Sequence, residues 1–164
     1  EVEGRISTSK RKGSSEDNVY YCSSWIPAVI HSGTSCESYQ TILELSKRFN
    51  IESSVVDYHL QSLEKYGLVE FKNGKWLFKG GSLHIPKNSA LDQSFQISRR
   101  IHAMNSIAKG KTDDIHYSMV FSADITTVKK IRQSFIDTIE ETHKISVASP
   151  SEDVYALCLD FFNA

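Results

Sequence analysis

The pattern of apolar and polar positions from Tyr39 to Phe78 predicts two short amphipathic helices joined by a tight turn. Ile42, Leu45 and Phe49 recur at spacings of three and four, which places one apolar stripe on a first helix. Asn50 then interrupts the pattern, and we expect the first helix to end there. Ile51 is the small apolar residue that such a turn buries between its two helices.

The second helix of this region has its own apolar stripe and is followed by a predicted hairpin. The stripe consists of Val56, Leu60, Leu63 and Tyr66. Gly67 is expected to end the helix, because glycine enters the left-handed conformation without strain. Residues 68–71 and 75–78 have the apolar content of strands, and Asn73-Gly74 between them favours a two-residue type I′ turn.

This order of elements is typical of a winged helix-turn-helix, a module that commonly lies in a DNA groove. Before it, residues 19–31 are apolar and aromatic and predict the first helix of that fold. Tyr21, Trp25 and Val29 recur there at spacings of four. Pro27 argues against a regular helix interior, so this helix is expected to be kinked or to start near Ser24.

The charge of the predicted winged helix is balanced, with six basic and six acidic residues between Val19 and Gly81. Phosphate contacts need cations or backbone donors, so this balance leaves two interpretations open. The module either contacts DNA or serves protein contacts and dimerisation. The candidate DNA-binding residues are Ser53, Ser54, Asp57, Tyr58 and Gln61 on the second helix and Lys72, Asn73 and Lys75 on the hairpin.

The C-terminal half predicts a long helix from Ser89 to about Lys109, followed by a strand-helix-strand unit. The two strands are residues 115–122 and 154–162, and Asp124 is the expected N-cap of a helix ending near His143. The strands are expected to be parallel, by a right-handed crossover. Two strands make a poor sheet, so we expect the same unit of a second subunit to complete it.

Length and composition exclude several classes of protein. The chain has 164 residues, 40% hydrophobic, and a formal net charge of -1, so it suits one compact domain or two small ones. It has no apolar run of membrane-spanning length and no signal peptide. Its three cysteines match no zinc pattern or disulfide scaffold, which favours free thiols in the cytoplasm. Residues 1–18 read as a disordered linker, and the absent initial Met suggests a piece of a longer protein.

No catalytic constellation is found in the sequence. The six histidines are scattered singly, without a metal-binding pair, a nucleophile turn or a glycine-rich phosphate loop. His116, with Asp124 or Asp160, is the nearest approach to a polar site, and a hydrogen-bonded or exposed histidine is the simpler interpretation. We therefore expect neither enzymatic activity, nor a cofactor, nor a metal.

Three short motifs carry a resemblance to a known family across residues 19–163. They are Tyr20, Tyr21 and Trp25; Leu63, Gly67, Leu68 and Val69; and Val154, Tyr155, Leu157, Leu159 and Phe161. With these motifs in this order, the chain resembles a paralogous family of bacterial transcriptional regulators whose C-terminal region is a domain of unknown function. The resemblance implies a further upstream helix-turn-helix segment and no catalytic residues. The chain departs from the family at its end, where Asn163 follows Phe162 in place of a Phe-Pro pair.

Together these observations predict an α+β chain with three parts: a linker at 1–18, a winged helix-turn-helix at 19–81, and a dimerisation or sensing domain at 82–164. The expected function is that of a transcriptional regulator that contacts double-stranded DNA and forms a homodimer through its C-terminal unit, without a membrane partner. The alternative is a protein-interaction or ligand-sensing module that makes no direct DNA contact. No effector can be named from the sequence.

Overall fold

The computed structural model describes residues 15–80, 85 and 89–164. Its helices are α1 Ser15–Cys22, α2 Ile26–Gly33, α3 Ile42–Phe49, α4 Ser53–Lys65, α5 Ala90–Lys109 and α6 Ile125–Ala148, and its strands are β1 Val69–Lys72 and β2 Lys75–Phe78. The chain divides into two compact units. Of the described residues, the N-terminal unit holds 15–105 and Ser151–Cys158, and the C-terminal unit holds Ser106–Pro150 and Leu159–Ala164. The domain boundary expected at residue 81 stays a prediction, and most of the expected linker lies outside the described residues.

The region expected to form one first helix consists of two helices, α1 and α2. Pro27 occupies the first turn of α2, where a missing N–H costs nothing because that group has no partner within the helix. The Ser24 hydroxyl accepts the N–H of Ile26 at the break. The single stripe expected from Tyr21, Trp25 and Val29 is therefore wrong as a helix face. Trp25 instead stacks on His102 of α5, with ring centroids 3.9 Å apart.

Helix α3 begins and ends on local signals. Thr41 caps its first turn in a capping box: the Thr41 hydroxyl accepts the N–H of Glu44, and the Glu44 carboxylate accepts the N–H of Thr41. Asn50 follows the helix in the left-handed conformation, with a φ of 53°. The break predicted at Asn50 is confirmed, and it turns the chain directly into α4.

Helix α4 ends in a Schellman motif at Gly67, whose φ is 68°. The N–H of Gly67 donates to the carbonyl of Glu64 at 2.8 Å, and the N–H of Leu68 donates to the carbonyl of Leu63 at 2.9 Å. The predicted role of this glycine is confirmed, and the motif directs the chain into β1.

The two strands form an antiparallel hairpin, with Phe71 opposite Trp76 and Lys72 opposite Lys75. Asn73 and Gly74 both have positive φ, 52° and 77°, as the predicted type I′ turn requires. The outer side of β2 is covered in part, because the N–H of Trp76 donates to the carbonyl of Gln40 at 2.8 Å. The chain just before α3 therefore lies beside the hairpin.

One hydrophobic core joins α2, α3, α4 and the hairpin. Its buried members are Ile30, Leu45, Val56, Leu60, Leu63, Leu68, Val69 and Trp76. Tyr20, Tyr21, Phe49 and Ile51 are among the partly buried residues that pack around it. The buried stripe predicted for the second helix is confirmed at Val56, Leu60 and Leu63, whereas Tyr66 is only partly buried.

The described chain is an α+β fold with one small sheet, and the predicted strand-helix-strand unit is wrong in its strands. Residues 115–122 and 154–162 form neither helix nor strand. Their alternating sequences favour extended backbone, but a strand needs a hydrogen-bonding neighbour, and an isolated pair is at best marginal. The helix between them is confirmed: Asp124 caps α6 by accepting the N–H groups of Thr126 and Thr127, and the helix runs to Ala148.

Candidate nucleic-acid interface

Helix α4 presents a polar face opposite its buried stripe. Ser53, Ser54, Tyr58 and Gln61 are exposed and Asp57 is half-buried, whereas Val56 and Leu60 on the other side are fully buried. The helical period of 3.6 residues separates these two sets. The structure therefore brings all five candidate residues of α4 to one accessible side of the helix.

Two members of this face are already bonded to each other. The Gln61 amide donates to the Asp57 carboxylate at 2.9 Å, one helical turn away. An amide of this kind can bind an adenine edge, and a carboxylate can accept a hydrogen bond from cytosine. Either contact first requires that the hydrogen bond between Gln61 and Asp57 breaks. The pair therefore orients both side chains on the surface of α4 before any ligand arrives.

The tip of the hairpin carries the remaining candidates. Lys72, Asn73 and Lys75 are all exposed, and the register places Lys72 directly opposite Lys75 across the turn. Within the described part of the chain, neither lysine has an ion-pair partner. Two adjacent cations at a protruding turn suit contact with the phosphates of a nucleic-acid backbone.

A side-chain contact joins the helix face to the hairpin. Glu64, one turn beyond Gln61 on α4, accepts the backbone N–H of Phe71 in β1 at 3.1 Å. The row formed by Asp57, Gln61 and Glu64 therefore leads directly to the first strand. Because of this bond, the polar side of α4 and the hairpin belong to one continuous surface.

Several acidic residues between Val19 and Gly81 bond to other groups of the fold. The balanced charge of this region therefore does not describe the charges near the candidate interface. Glu44 belongs to the capping box of α3, Glu64 binds the backbone of β1, and Glu70 pairs with Lys79 at 2.8 Å. The ammonium of Lys79 also lowers the pKa of the Glu70 carboxyl. The positions of these carboxylates follow from folding, which leaves Asp57 as the acid in the middle of the helix face.

The first turn of α4 also offers backbone donors. Glu52 occupies the N-cap position but makes no capping hydrogen bond through its side chain. The first N–H groups of a helix can bind a phosphate, and the helix dipole favours negative charge there. The carboxylate of Glu52 opposes such a contact, so this helix start is a weaker candidate than the hairpin tip.

Two histidines that the sequence could not place are buried in the N-terminal unit. His31 donates from Nε2 to the Leu68 carbonyl at 3.1 Å, so its Nδ1 accepts from the Tyr21 hydroxyl at 3.2 Å. Burial lowers the pKa of His31 to about 4, so the ring is neutral at pH 7. His59 of α4 bonds through Nδ1 to the Tyr20 hydroxyl at 2.7 Å, and burial lowers its pKa as well.

A second feature missed by the sequence ties the C-terminal part of the chain to α3. Arg48 binds Asp153 through two parallel hydrogen bonds, Nε to Oδ1 at 2.8 Å and Nη2 to Oδ2 at 2.9 Å. The two residues are 105 positions apart, and no local signal links them. Arg48 is thereby engaged inside the N-terminal unit, and it adds no mobile cation to the surface of α4.

Other kinds of site find little support in the described residues. No group of three or more His, Cys, Asp or Glu side chains in residues 15–80, 85 and 89–164 is arranged to hold a metal ion. His116 was considered above with Asp124 or Asp160. Its Nε2 lies 4.0 Å from Oδ2 of Asp114. Across the same ranges, no helix combines the length and apolarity needed to cross a membrane.

These features define an α+β protein in which α4 and the β1–β2 hairpin together form one exposed polar surface. The chain belongs to the family of the domain of unknown function DUF4423, whose model matches residues 7–163. Neither a curated protein nor a solved structure matches the chain. The family gives no function, so a functional interpretation depends on the geometry described above.

Proposed function

We propose that the N-terminal unit is a winged helix-turn-helix that binds double-stranded DNA, and that the protein is a cytoplasmic transcriptional regulator rather than an enzyme. In this proposal α3 and α4 form the helix-turn-helix and the β1–β2 hairpin is the wing. The polar side of α4 lies in the major groove, and Lys72 and Lys75 contact the flanking phosphates. The resemblance noted in the sequence motifs supports the same function.

The observation that carries this proposal is the continuity of the polar α4 face with the lysine-bearing hairpin. The Glu64–Phe71 bond joins the hairpin to the C-terminal half of α4. On such a continuous surface, the helix can enter a groove while the hairpin reaches the adjacent backbone. The bond between Trp76 and Gln40 adds a third chain segment to the hairpin, where winged helices have their first strand.

Few cations support this interface, so we propose that two copies act together as a homodimer joined through the C-terminal units. Specific DNA affinity depends strongly on the number of neutralised phosphates. One copy offers Lys72 and Lys75, with the backbone donors of α4 in addition. Two linked modules double these contacts on one duplex and raise the effective concentration of the second.

Titration of the full chain with a fluorescent duplex, at low and at moderate salt, tests the proposal. We expect binding that weakens steeply as salt rises, because phosphate contacts release counterions. Lys72→Ala and Lys75→Ala should each weaken binding to every sequence and reduce the salt slope by about one. Lys109→Ala, an exposed lysine at the end of α5, is the matched control and should leave the titration unchanged.

Substitutions on α4 separate sequence readout from backbone attraction. Gln61→Ala should change which duplex is preferred, because the amide is positioned to reach a base edge. Asp57→Asn should strengthen binding to all sequences, since it removes a negative charge from the middle of the face. Absence of binding at low salt, or equal effects of Lys72→Ala and Lys109→Ala, would contradict the proposal.

One observation favours the second candidate, a protein-interaction module. The hairpin and α4 also expose aromatic side chains: Phe71 is 52% exposed and Tyr58 is 61% exposed. Exposed aromatic residues are enriched where proteins bind one another. If this alternative holds, Tyr58→Ala and Phe71→Ala abolish partner binding, while duplex DNA gives no signal at any salt concentration.

A further inference from the structure

The described residues of the C-terminal unit form a small aromatic cluster, in which Phe161 contacts Phe121 and Phe135, but no buried core. None of its described residues, in Ser106–Pro150 or Leu159–Ala164, is buried. Helix α6 spans 24 residues and has no buried residue along its whole length. A folded unit needs buried apolar surface to offset the conformational entropy that ordering costs. The unit therefore requires a surface that covers it.

Within this unit, residues 115–121 form neither helix nor strand, and the Phe121 ring contacts Phe161. Each of the seven residues is exposed, and no backbone hydrogen bond links them to another described residue. Ile115, Tyr117, Met119 and Phe121 alternate with smaller or polar residues, as in a strand with one apolar face. The stretch contains no charge and no proline, the devices by which proteins protect an open strand edge.

We propose that residues 115–121 pair in antiparallel fashion with the same residues of a second copy, around a twofold axis at Ser118. The inference rests on the dimer of the proposed function and is independent of DNA binding. An interface across a twofold axis must be complementary to itself. One face of residues 115–121 meets this condition, because Ile115, Tyr117, Met119 and Phe121 are placed symmetrically about Ser118.

The proposed register matches apolar residues with apolar residues. Ile115 lies opposite Phe121, and Tyr117 lies opposite Met119, all on one face of the two-stranded ribbon. Pairs of aromatic and aliphatic side chains are among those that stabilise antiparallel strands. On the other face His116 lies opposite Val120. No like charges meet in this arrangement.

The exposed apolar surface is large enough for a stable dimer. The unit exposes Ile115, Tyr117, Met119, Val120, Phe121, Ile125, Val128, Ile139, Ile145 and Val147. At roughly 100 Å² for each side chain, this is on the order of 1,000 Å² per copy. A standard interface takes about 800 Å² from each partner. The unit therefore exposes enough apolar surface in total to build a core between two copies.

Complementary charge variants test the register in solution. In the double variants Tyr117→Lys/Met119→Lys and Tyr117→Glu/Met119→Glu, like charges oppose each other across the axis. By sedimentation velocity we expect the unsubstituted chain to be a dimer, and each double variant alone to dimerise on the order of a hundredfold more weakly. An equimolar mixture should recover the dimer, because every Lys then faces a Glu. Recovery also shows that the variants fold.

A cross-link tests the position of the axis. In a Cys158→Ser background, Ser118→Cys should form a disulfide between copies under mild oxidation, because antiparallel partners at the axis have Cα atoms about 4.5 to 5.5 Å apart. Ser122→Cys, four residues away from the axis, should stay a thiol since its counterpart lies roughly 27 Å away. Leu43→Lys, an exposed apolar position on α3, is the control that should leave the dimer unchanged.

A monomer at high micromolar concentration overturns the inference, as does a dimer that withstands both double variants or links through Ser122→Cys. A chain that dimerises as expected but gives no DNA signal keeps this inference and contradicts the proposed function. A chain that stays monomeric but binds duplex DNA overturns this inference and keeps the proposed DNA binding.

Discussion

The two units of the chain differ in how completely they fold by themselves. The N-terminal unit closes eight hydrophobic residues into one buried core between its helices and its hairpin. The C-terminal unit has a 24-residue helix and many large apolar side chains, but buries none of its described residues. Both have amphipathic sequence patterns. The difference shows that an amphipathic pattern indicates which face of an element becomes buried. The pattern does not indicate whether the same chain or a second molecule buries it.

The largest effect that separates the units is expected from truncation of core side chains. Leu63→Ala should lower the free energy of unfolding by about 3 to 5 kcal/mol, because Leu63 is fully buried and the change leaves a cavity. At a protein concentration that keeps the chain monomeric, Ile145→Ala in α6, where the side chain is 64% exposed, should cost less than about 0.5 kcal/mol. Urea denaturation of both variants measures the contrast, and equal costs would remove the distinction between the units.

The sequence predicts the elements of the N-terminal unit because their signals are local. Asn50, Gly67 and Asn73 each determine a turn through their own backbone preferences, and α4 follows from the spacing of its apolar residues. The break between α1 and α2 depends on Pro27, a signal that the sequence shows but that leaves two outcomes open. The backbone conformation within a few residues of each signal depends mainly on that signal.

Contacts between distant residues could not be predicted in the same way. Nothing near Arg48 indicates Asp153, and nothing near His31 indicates that Leu68 and Tyr21 will satisfy its ring. The candidate site shows both cases: its exposed residues follow from the period of α4, whereas the Glu64–Phe71 bond that joins them to the hairpin does not. The two expected strands failed for a related reason, since alternation specifies a face and no pairing partner.

Acidification should lower the free energy of unfolding of the N-terminal unit, because His31 becomes protonated on unfolding. The pKa of this ring is about 4 in the folded chain and about 6.5 when unfolded, so the unfolded state binds more protons between these values. Stability is then full above about pH 6.5 and falls as the pH drops, by about 2 kcal/mol at pH 5. Denaturation of the unsubstituted chain and of His31→Gln across this range checks the effect. If the unfolding free energies of both proteins fall equally with pH, His31 does not cause the loss of stability.

Glycine substitutions probe how tightly each unit is packed. A Cβ on Gly33 would lie 2.6 Å from Cδ2 of Leu45 and 3.0 Å from Cε2 of Phe49, so Gly33→Ala should cost about 1 to 3 kcal/mol through crowding. Gly110 has nothing within 4 Å of such an atom, but its φ is +59°. Gly110→Ala should therefore cost only about 1 kcal/mol, from backbone strain. Thermal unfolding measures both, and a larger loss at Gly110 would show close packing in the C-terminal unit.

The smallest effect concerns the ion pair that holds Ser151–Cys158 on the N-terminal unit. Arg48 and Asp153 are each less than a third exposed, and their two parallel hydrogen bonds give favourable geometry. A double-mutant cycle with Arg48→Ala and Asp153→Ala should give a coupling energy of about 0.5 to 1 kcal/mol. Additive single effects would mean that the pair contributes nothing beyond its separate contacts.

Hydrogen exchange of the full chain at two protein concentrations tests the account of the two units most directly. Amides of α2 and α4 should be protected equally at both concentrations, because their core is complete within one chain. Amides of residues 115–121 should exchange quickly in dilute solution and slowly at high concentration, where a second copy supplies their hydrogen-bond partners. Fast exchange of residues 115–121 at both concentrations, or protection that does not depend on concentration, would contradict the account.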